Sequence, residues 1–529
     1  MFDFLKKTRM QIDYNTIDNN ECKNVVEKLY EKKVSNLINK KVYDELEIFE
    51  DYNGNNKNSI FSKINRTETY FGEVYLKLIL KEPSIFYKKY KRLDKIFLKN
   101  IEDSLKFVRK NQKCLISCLR PVELIYDNIY VNDIVLKTIK VDELNFLVQK
   151  AYTLFNIFLP IYNILSPIIF LVLFFLFKKI LPKFFVDKFR YLINISMMGL
   201  MELNIFKIDS FYSLVKTSVS LLFFVYNIYS SLKFSAMTYI LYNNIYDKLN
   251  ILNTIFDKVS KLYEIKDFGY NKIKKLQLET NKKFNYGYIM LHYKRLVQSK
   301  EIIECSRYIG LIDYHLGLDR LIEDGFSIPN YIKSCKPKII FNGVMNPYFS
   351  NNFVKNNINI SDNLIITGPN ACGKSTFIKT VLLNLILAQT LGICNAEYML
   401  FTPFTYITSS INNVDSKGEV SLFQNEIKRI ENYIKKIEST EGFCFSVIDE
   451  IFSGTNNSDA EKAADIFCNK LSRYDNNISL ITTHLENVTK KRNKFKNYKM
   501  LIKNTNRKLE YLYKIEEGIN KDSVFEYLV

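Results

Sequence analysis

The sequence predicts a mostly α-helical N-terminal region followed by a C-terminal α/β domain, on three observations. Charged, amphipathic, helix-spaced sequence dominates the first 330 residues or so. At residues 364–376 an apolar run, Leu364-Ile365-Ile366, breaks into a glycine-flanked turn and then a helical pattern. Further on, Gly442-Phe443-Cys444-Phe445-Ser446-Val447-Ile448 reads as a buried strand that ends in two acids, Asp449 and Glu450.

The turn at 368–376 is Gly368-Pro369-Asn370-Ala371-Cys372-Gly373-Lys374-Ser375-Thr376, which fits G-x-x-x-x-G-K-[ST]. Its glycines let successive backbone N–H groups point inward at phosphate oxygens, and the following helix adds its positive end. In that pattern Lys374 would reach the β- and γ-phosphates of ATP and Ser375 would ligate Mg²⁺. The whole stretch is the expected nucleotide cradle. After it, Phe377–Leu391 reads as one long apolar helix, with Gly392 as its cap. An acid at the carboxyl end of a central strand beside such a loop can hold the metal through water, which assigns Asp449 to Mg²⁺. The next acid can polarise the attacking water, which assigns Glu450 to catalysis as a general base.

Composition bounds the partners. The 529 residues carry a net charge of +19, with 75 Lys and Arg against 56 Asp and Glu. A polyanionic partner, nucleic acid or an anionic membrane surface, accounts for that charge; so does lysine scattered over a solvated surface. The nine cysteines hold one close pair, Cys114 and Cys118, and no second pair to complete a zinc site. The three histidines, His292, His315 and His484, are too scattered for a metal cluster. A cysteine inside the phosphate loop suits a reducing, intracellular compartment. Lys6, Lys7 and Arg9 run into polar sequence, unlike a secretory signal.

Taken in order, residues 1–45 are polar and helical, without a motif. Leu46-Glu47-Ile48-Phe49 and an Asn/Gly-rich loop at 52–58 follow. Thr67 or Thr69 is placed to cap a helix that runs to about Leu80, and Pro83 to end it. Residues 84–150 read as amphipathic helices. The composition then changes: no charged residue occurs from Ala151 to Phe177, a run longer than the roughly 20 apolar residues that cross a bilayer. Lys178, Lys179 and Lys183 follow at once, and the uncharged runs 217–232 and 234–246 are separated by Lys233 alone. Membrane association through 151–177 and 217–246 is the expectation, either as two spans or as a re-entrant or surface-lying hairpin bent at Pro160 and Pro167; buried helices of a large core are the alternative. Two spans would strand Lys178, Lys179, Lys183, Lys188 and Arg190, in the loop 178–216, across the bilayer, against the usual charge bias. Residues 247–330 regain charged helical periodicity, with a basic stretch at Lys272–Lys283 beside Tyr286, Tyr288, Tyr293 and Arg295 that fits either a solvated helix face or a nucleic-acid contact.

These motifs resemble those of the MutS family of DNA mismatch-repair ATPases. Leu46, Glu47, Ile48, Arg66, Thr67, Thr69, Gly72, Leu76, Leu80 and Pro83 match the start of that family's helical core, where an L-E-[IL] strand precedes an N/D-R-T-x-T-x-x-G turn and a leucine-rich helix. Val344-Met345-Asn346-Pro347 stands where the family has an apolar-x-His-Pro turn, with Asn346 for the histidine. Asp449-Glu450-Ile451-Phe452-Ser453-Gly454-Thr455-Asn456 is similar to D-E-[IL]-x-R-G-T-[SN], with Ser453 for the arginine. His484, at the end of Ile478-Ser479-Leu480-Ile481-Thr482-Thr483, matches the histidine that senses the γ-phosphate. Ser421 and Phe423 keep the spacing of the family's S-x-F-x-x-E signature, whose serine reaches the nucleotide of the other subunit; an ordinary N-cap serine is the alternative.

The resemblance implies a helical core and lever region followed by an ABC-type P-loop ATPase domain. The expected organisation is a helical segment at 1–45, the first part of the core at 46–150, the apolar segment at 151–246, a helical return at 247–335, the ATPase domain at 336–490 and a charged tail at 491–529. It implies a dimer, with itself or with a related subunit, and double-stranded DNA as a partner. The core pattern starts near residue 46, so the mismatch-reading and connector domains are expected to be absent. The apolar segment sits where the family's DNA clamp would be, which sets encirclement of DNA against a second expectation: a membrane-anchored ATPase that acts on a membrane or partner protein.

Overall fold

The computed structural model describes residues 17–30, 37–51, 54–81, 95–119, 211–263, 299–348, 354–411, 422–489, 493–505 and 508–520, with scattered positions in 147–176 and 289–297. Pro83, most of 151–177, the basic stretch Lys272–Lys283, Tyr286, Tyr288 and Ser421 lie outside them. In chain order the helices ahead of the sheets are α1 (Asn19–Glu27), α2 (Lys40–Glu45), α3 (Ile60–Ile64), α4 (Tyr70–Lys81), α5 (Lys95–Leu119), α6 (Phe211–Tyr263) and α7 (Lys300–Glu323). The chain divides into two compact units, one of residues 1–29 and 106–308, the other of 30–105 and 309–529.

Among the described residues the elements of the first unit are all helices. Asp18 caps α1 by accepting from the Asn20 amide at 3.2 Å. The 53 residues of α6 make a rod of about 80 Å. Its second half buries Leu249, Leu252, Ile255, Phe256 and Val259. Its first half leaves Val215, Val219, Leu222, Val225, Tyr226 and Tyr229 exposed, Leu222 at 68%. Cys114 and Cys118 are one turn apart on α5 and fully buried, and desolvation pushes both thiols up. The uncharged runs 217–232 and 234–246, expected together with 151–177 to associate with a membrane, lie with Lys233 in one uninterrupted stretch of α6. Among the described residues no helix is long and apolar enough to cross a membrane.

The second unit holds the α/β domain. Its elements are β1 (Asn330–Tyr331), β2 (Ile339–Val344), β3 (Asn356–Ile360), β4 (Asn363–Thr367), α8 (Lys374–Thr390), β5 (Tyr398–Phe401), β6 (Tyr406–Ser410), α9 (Leu422–Ser439), β7 (Cys444–Ile448), α10 (Asn457–Leu471), β8 (Asn477–Thr482), β9 (Phe495–Thr505) and β10 (Lys508–Glu517). They form two sheets, one of strand order β1-β5-β2-β3 and one of order β10-β9-β4-β8-β7-β6. In the larger sheet β9, β4, β8, β7 and β6 run parallel, and β10 returns antiparallel on β9.

Both faces of the parallel strands are covered, which is why they read as unbroken apolar runs. Leu364, Ile366, Phe445, Val447 and Leu480 face the cluster that includes Val381, Leu382 and Leu385 of α8. Ile365, Ile448 and Ile481, one residue out of phase, join Tyr433 and Ile437 of α9 and Phe467 and Leu471 of α10. Each such side chain contributes about 1.5–3 kcal/mol by leaving water. Helix α8 is buried on nearly every side, and Gly392, at φ 71°, closes it by donating to the Leu387 carbonyl.

Two stretches differ from their sequence-based expectation. Leu46–Ile48 is a turn after α2, with Glu47 at φ 51°, rather than a strand. Residues 495–517, expected as a charged tail, supply two strands of the larger sheet, and β9 pairs with β4 over five consecutive registers.

Candidate active site

The site is built at the carboxyl ends of β4, β7 and β8, where an open parallel sheet places its ligands. Strand β4 ends at Thr367 and the chain turns through 368–373 into α8. Gly373 is the N-cap, at φ 96°, a conformation that disfavours any side chain; a Cβ there would also come within 2.9 Å of the Tyr513 ring. Ala371 is held at φ 65°. These turns leave the first amides of α8 without helical partners, facing the end of the sheet.

Lys374 is the first residue of α8 and is buried, at 4% exposure. Its ammonium donates to the carbonyls of Gly368 (2.8 Å) and Pro369 (3.0 Å), and lies 3.0 Å from Nε2 of His484. An ammonium only donates, so His484 accepts at Nε2 and carries its proton on Nδ1. Burial pulls the Lys374 ammonium below its usual range, offset by Cys372, Glu450 and Asp449. Burial also lowers the His484 imidazole, and the Lys374 cation lowers it further, against the opposing pull of Glu450. Glu450 Oε1 is 3.6 Å from His484 Nε2.

Strand β7 delivers the two acids. The Asp449 amide donates to the Ser410 carbonyl at the end of β6 (2.9 Å). Its carboxylate Oδ1 accepts from the Thr482 hydroxyl at 2.5 Å, and the same hydroxyl accepts from the Glu450 amide at 2.8 Å. Glu450 sits at φ 50° and Phe452 at φ 57°, so the chain turns sharply out of the sheet there. Glu450 itself is exposed and reaches over the end of the strands.

Of the residues the sequence singles out, Gly368, Pro369, Gly373, Lys374, Asp449, Glu450 and His484 converge on this edge. Ser375 and Thr376 follow Lys374 in the first turn of α8, half-buried, and Cys372 is buried under the loop with its thiol pushed up by desolvation. Asn370 and Ala371 are exposed at its tip. Phe423, in the first turn of α9, packs edge-on against Phe452 with ring centroids 5.6 Å apart. Asn346 is buried and accepts from the Tyr348 amide (2.9 Å), closing the turn at Pro347.

Two residues went unnoticed in the sequence. Thr482 is the hydroxyl that ties both acids to β8, and its signal was the change from apolar to hydroxyl residues at the end of a buried strand. Tyr513, at φ 52° on β10, lies against the phosphate loop from a stretch that looks like unstructured charged sequence. The donor set fits a magnesium–triphosphate: amides at a helix N-terminus and a buried ammonium on one side, the Ser375 hydroxyl and a carboxylate on the other. Among the described residues no group of three or more His, Cys, Asp or Glu side chains is placed to hold a metal by itself.

Comparison with known proteins agrees with this geometry. Residues 364–525, from β4 to beyond β10, match MutS domain V. A stretch of 90 residues is 41% identical to the DNA mismatch repair protein MSH3 of Vanderwaltozyma polyspora and covers 16% of this chain and 9% of that protein. Over 235 residues the chain is 26% identical to the DNA mismatch repair protein MutS of Persephonella marina, covering 42% of this chain and 27% of that one. The chain thus spans less than a third of the length of these curated relatives. A phosphate loop, paired acids and a strand-end histidine share one sheet edge, and the family match runs from the first strand of that sheet past its last: this chain is a distant homologue of the MutS and MSH3 proteins, and its C-terminal portion belongs to the MutS domain V family of ABC-type ATPases.

Proposed function

We propose that the protein is an ATP-hydrolysing, DNA-binding protein of the mismatch-repair type, which couples the nucleotide state of its α/β domain to movement of its helical arms. The observation that carries the ATPase part is the meeting of Lys374, His484 and Glu450 within hydrogen-bond or ion-pair reach at the end of one parallel sheet, with Asp449 tied beside Glu450 by Thr482. The amides of 368–376 and the Lys374 ammonium bind and orient the triphosphate. Lys374 exchanges its loop carbonyls for phosphate oxygens. Glu450 takes the proton of the attacking water, and His484, neutral, positions that water through its ring nitrogens. Ser375 and Asp449 would hold Mg²⁺, which supplies charge neutralisation on the transferring phosphoryl group.

The resemblance adds the rest. Ser421 would complete the site of a second copy or a related subunit, so turnover requires a dimer. The +19 charge and the mismatch-repair relatives support double-stranded DNA as the partner. The test is Mg²⁺-dependent ATP hydrolysis by the full chain, together with duplex binding at several salt concentrations. Salt-sensitive binding that favours mismatched over matched duplex supports the proposal; a chain that neither binds nor splits ATP defeats it.

A second reading has one observation in its favour. The exposed apolar side chains along the first half of α6 fit an ATPase that acts at a lipid surface or on a partner protein, without mismatch recognition. Retention of the tagged chain in carbonate-washed membranes, lost on deletion of 151–246, together with no preference for mismatched duplex, would favour it.

A further inference from the structure

Strand β6 is the edge of the larger sheet, and an edge strand needs a cover. Here the chain ahead of α2 supplies it. The Ile407 amide donates to the Leu37 carbonyl (2.7 Å) and the Asn39 amide to the Ile407 carbonyl (2.9 Å), so Ile38 bridges Ile407 in parallel. Asn39 then caps α2 by accepting from the Lys41 amide. The last residue of α2, Glu45, is a carboxylate at 7% exposure. Its Oε2 accepts from the Ser409 hydroxyl (2.6 Å) and from the Ile411 amide (3.1 Å). Between those two residues, the Ser410 carbonyl accepts from the Asp449 amide.

Three consecutive residues at the carboxyl end of β6 are therefore held from opposite sides: 409 and 411 by Glu45, and 410 by Asp449. We propose that Glu45 is a positioning residue for the hydrolytic site, fixing the end of β6 and, through Ser410, the backbone of the metal-side acid Asp449. The chain beyond Glu45 carries the link onward. The carbonyls of Glu47 and Ile48 accept from the Ile60 and Phe61 amides at the start of α3. After α3, Arg66 pairs with Asp324 just past α7 at 2.7 Å. A carboxylate is suited to this role because one oxygen serves two donors, and a buried amide left without it loses a charge-assisted bond. The proposal rests on the ATPase reading for its catalytic consequence, but not for the tie itself.

The experiment uses the full chain with Glu45→Ala, Glu45→Gln and Ser409→Ala. Hydrogen exchange is read on the peptide spanning 405–411 and on that containing Asp449, and kcat and KM for Mg²⁺-dependent ATP hydrolysis are measured beside it. Glu45→Ala is expected to speed exchange in both peptides and to lower kcat by about tenfold or more, with KM for ATP little changed, as a displaced reacting group does. Glu45→Gln, whose amide oxygen accepts from the same two donors, is expected to restore most of kcat. Ser409→Ala, which removes one donor and leaves the Ile411 bond, is expected to fall between, and it carries the test if Glu45→Ala does not fold. Wild-type kcat in Ser409→Ala and in folded Glu45→Ala, or unchanged exchange at Asp449, overturns the proposal. A wild-type chain without hydrolysis would sink the ATPase reading instead, and the exchange measurement would still decide whether Glu45 holds Asp449.

Discussion

The hydroxyl of Thr482 donates to Asp449 at 2.5 Å and accepts from the amide of Glu450 at 2.8 Å, so one side chain on β8 sets the orientation of both acids at the end of β7. Thr482 is fully buried, so no water replaces it. Thr482→Val keeps the shape and removes both bonds. The partner of a metal-ligating carboxylate is worth about 10- to 100-fold in metal affinity. The variant is therefore expected to need about that much more Mg²⁺ for half-maximal hydrolysis and, with the Glu450 amide left unpaired, to lose about 1–3 kcal/mol of stability, and Thr482→Ser to recover most of both. A magnesium titration of the three proteins checks this; equal midpoints would remove Thr482 from the site.

Glu450 is exposed and reaches His484 rather than Lys374, a placement suited to a group that must meet water. Glu450→Gln keeps the size and removes the proposed base. Hydrolysis is expected to drop by about 10²- to 10⁴-fold, while binding of a fluorescent ATP analogue stays within a few-fold of wild type. Unchanged hydrolysis would put the base elsewhere.

How much of this the sequence revealed depended on where each strand lies. Strands β4, β7 and β8 are buried on both faces, so Leu364–Ile366, Phe445–Ile448 and Ile478–Ile481 stand out as apolar runs, and the motifs at their ends could be placed in order. Strand β3 buries only alternate residues and offers Asn357 and Asn359 on its outer side, so no apolar run marks it in the sequence. Strands β9 and β10 carry Lys496, Lys499, Lys503, Lys508 and Lys514, and their apolar signal falls below that of a charged loop. Tyr513 was lost with them. The tie from Glu45 to Ser409 joins residues 364 positions apart, and no local pattern encodes it. Thr69 is the opposite case: the sequence offers it or Thr67 as the helix cap, and it is the Thr69 hydroxyl that accepts from the Gly72 amide at 3.1 Å.

His484 faces two opposing charges, Lys374 at 3.0 Å and Glu450 at 3.6 Å, and burial joins the lysine in favouring the neutral ring. Its folded pKa lies below the ordinary 6.5, so between the two values the unfolded chain binds the extra proton. The stability that this group contributes is present above pH 6.5 and is lost as pH falls through the folded value. Hydrolysis is expected to hold level as pH drops from 8 to 6.5 and to fall only below. Histidine ring NMR checks the cause without activity: Lys374→Met should move the His484 titration upward, whereas an unmoved titration would show that the ammonium does not set it.

At the start of α4 the capping residue, Thr69, is itself held from another helix. Asp313 of α7, fully buried, accepts from the Glu68 amide (2.9 Å), the Thr69 amide (2.7 Å) and the Thr69 hydroxyl (2.7 Å). The two helices approach so closely there that a Cβ on Gly72 would stand 2.2 Å from the Asp313 carboxylate. Gly72→Ala must therefore displace the cap, and overpacking of this kind costs about 1–3 kcal/mol. Burial pushes the Asp313 carboxyl up to about 6 from 3.8, against the pull of its three donors. Between those values the folded state holds the proton and the unfolded state does not, so the contribution of Asp313 to stability declines as pH rises from 3.8 through 6. Asp313→Asn carries no titrating group. The stability of the wild type relative to this variant, read from urea denaturation at several pH values, should grow as pH is lowered from 7 to 4. A difference that does not vary with pH would mean that Asp313 is as well solvated when folded as when unfolded, which its burial between α4 and α7 argues against.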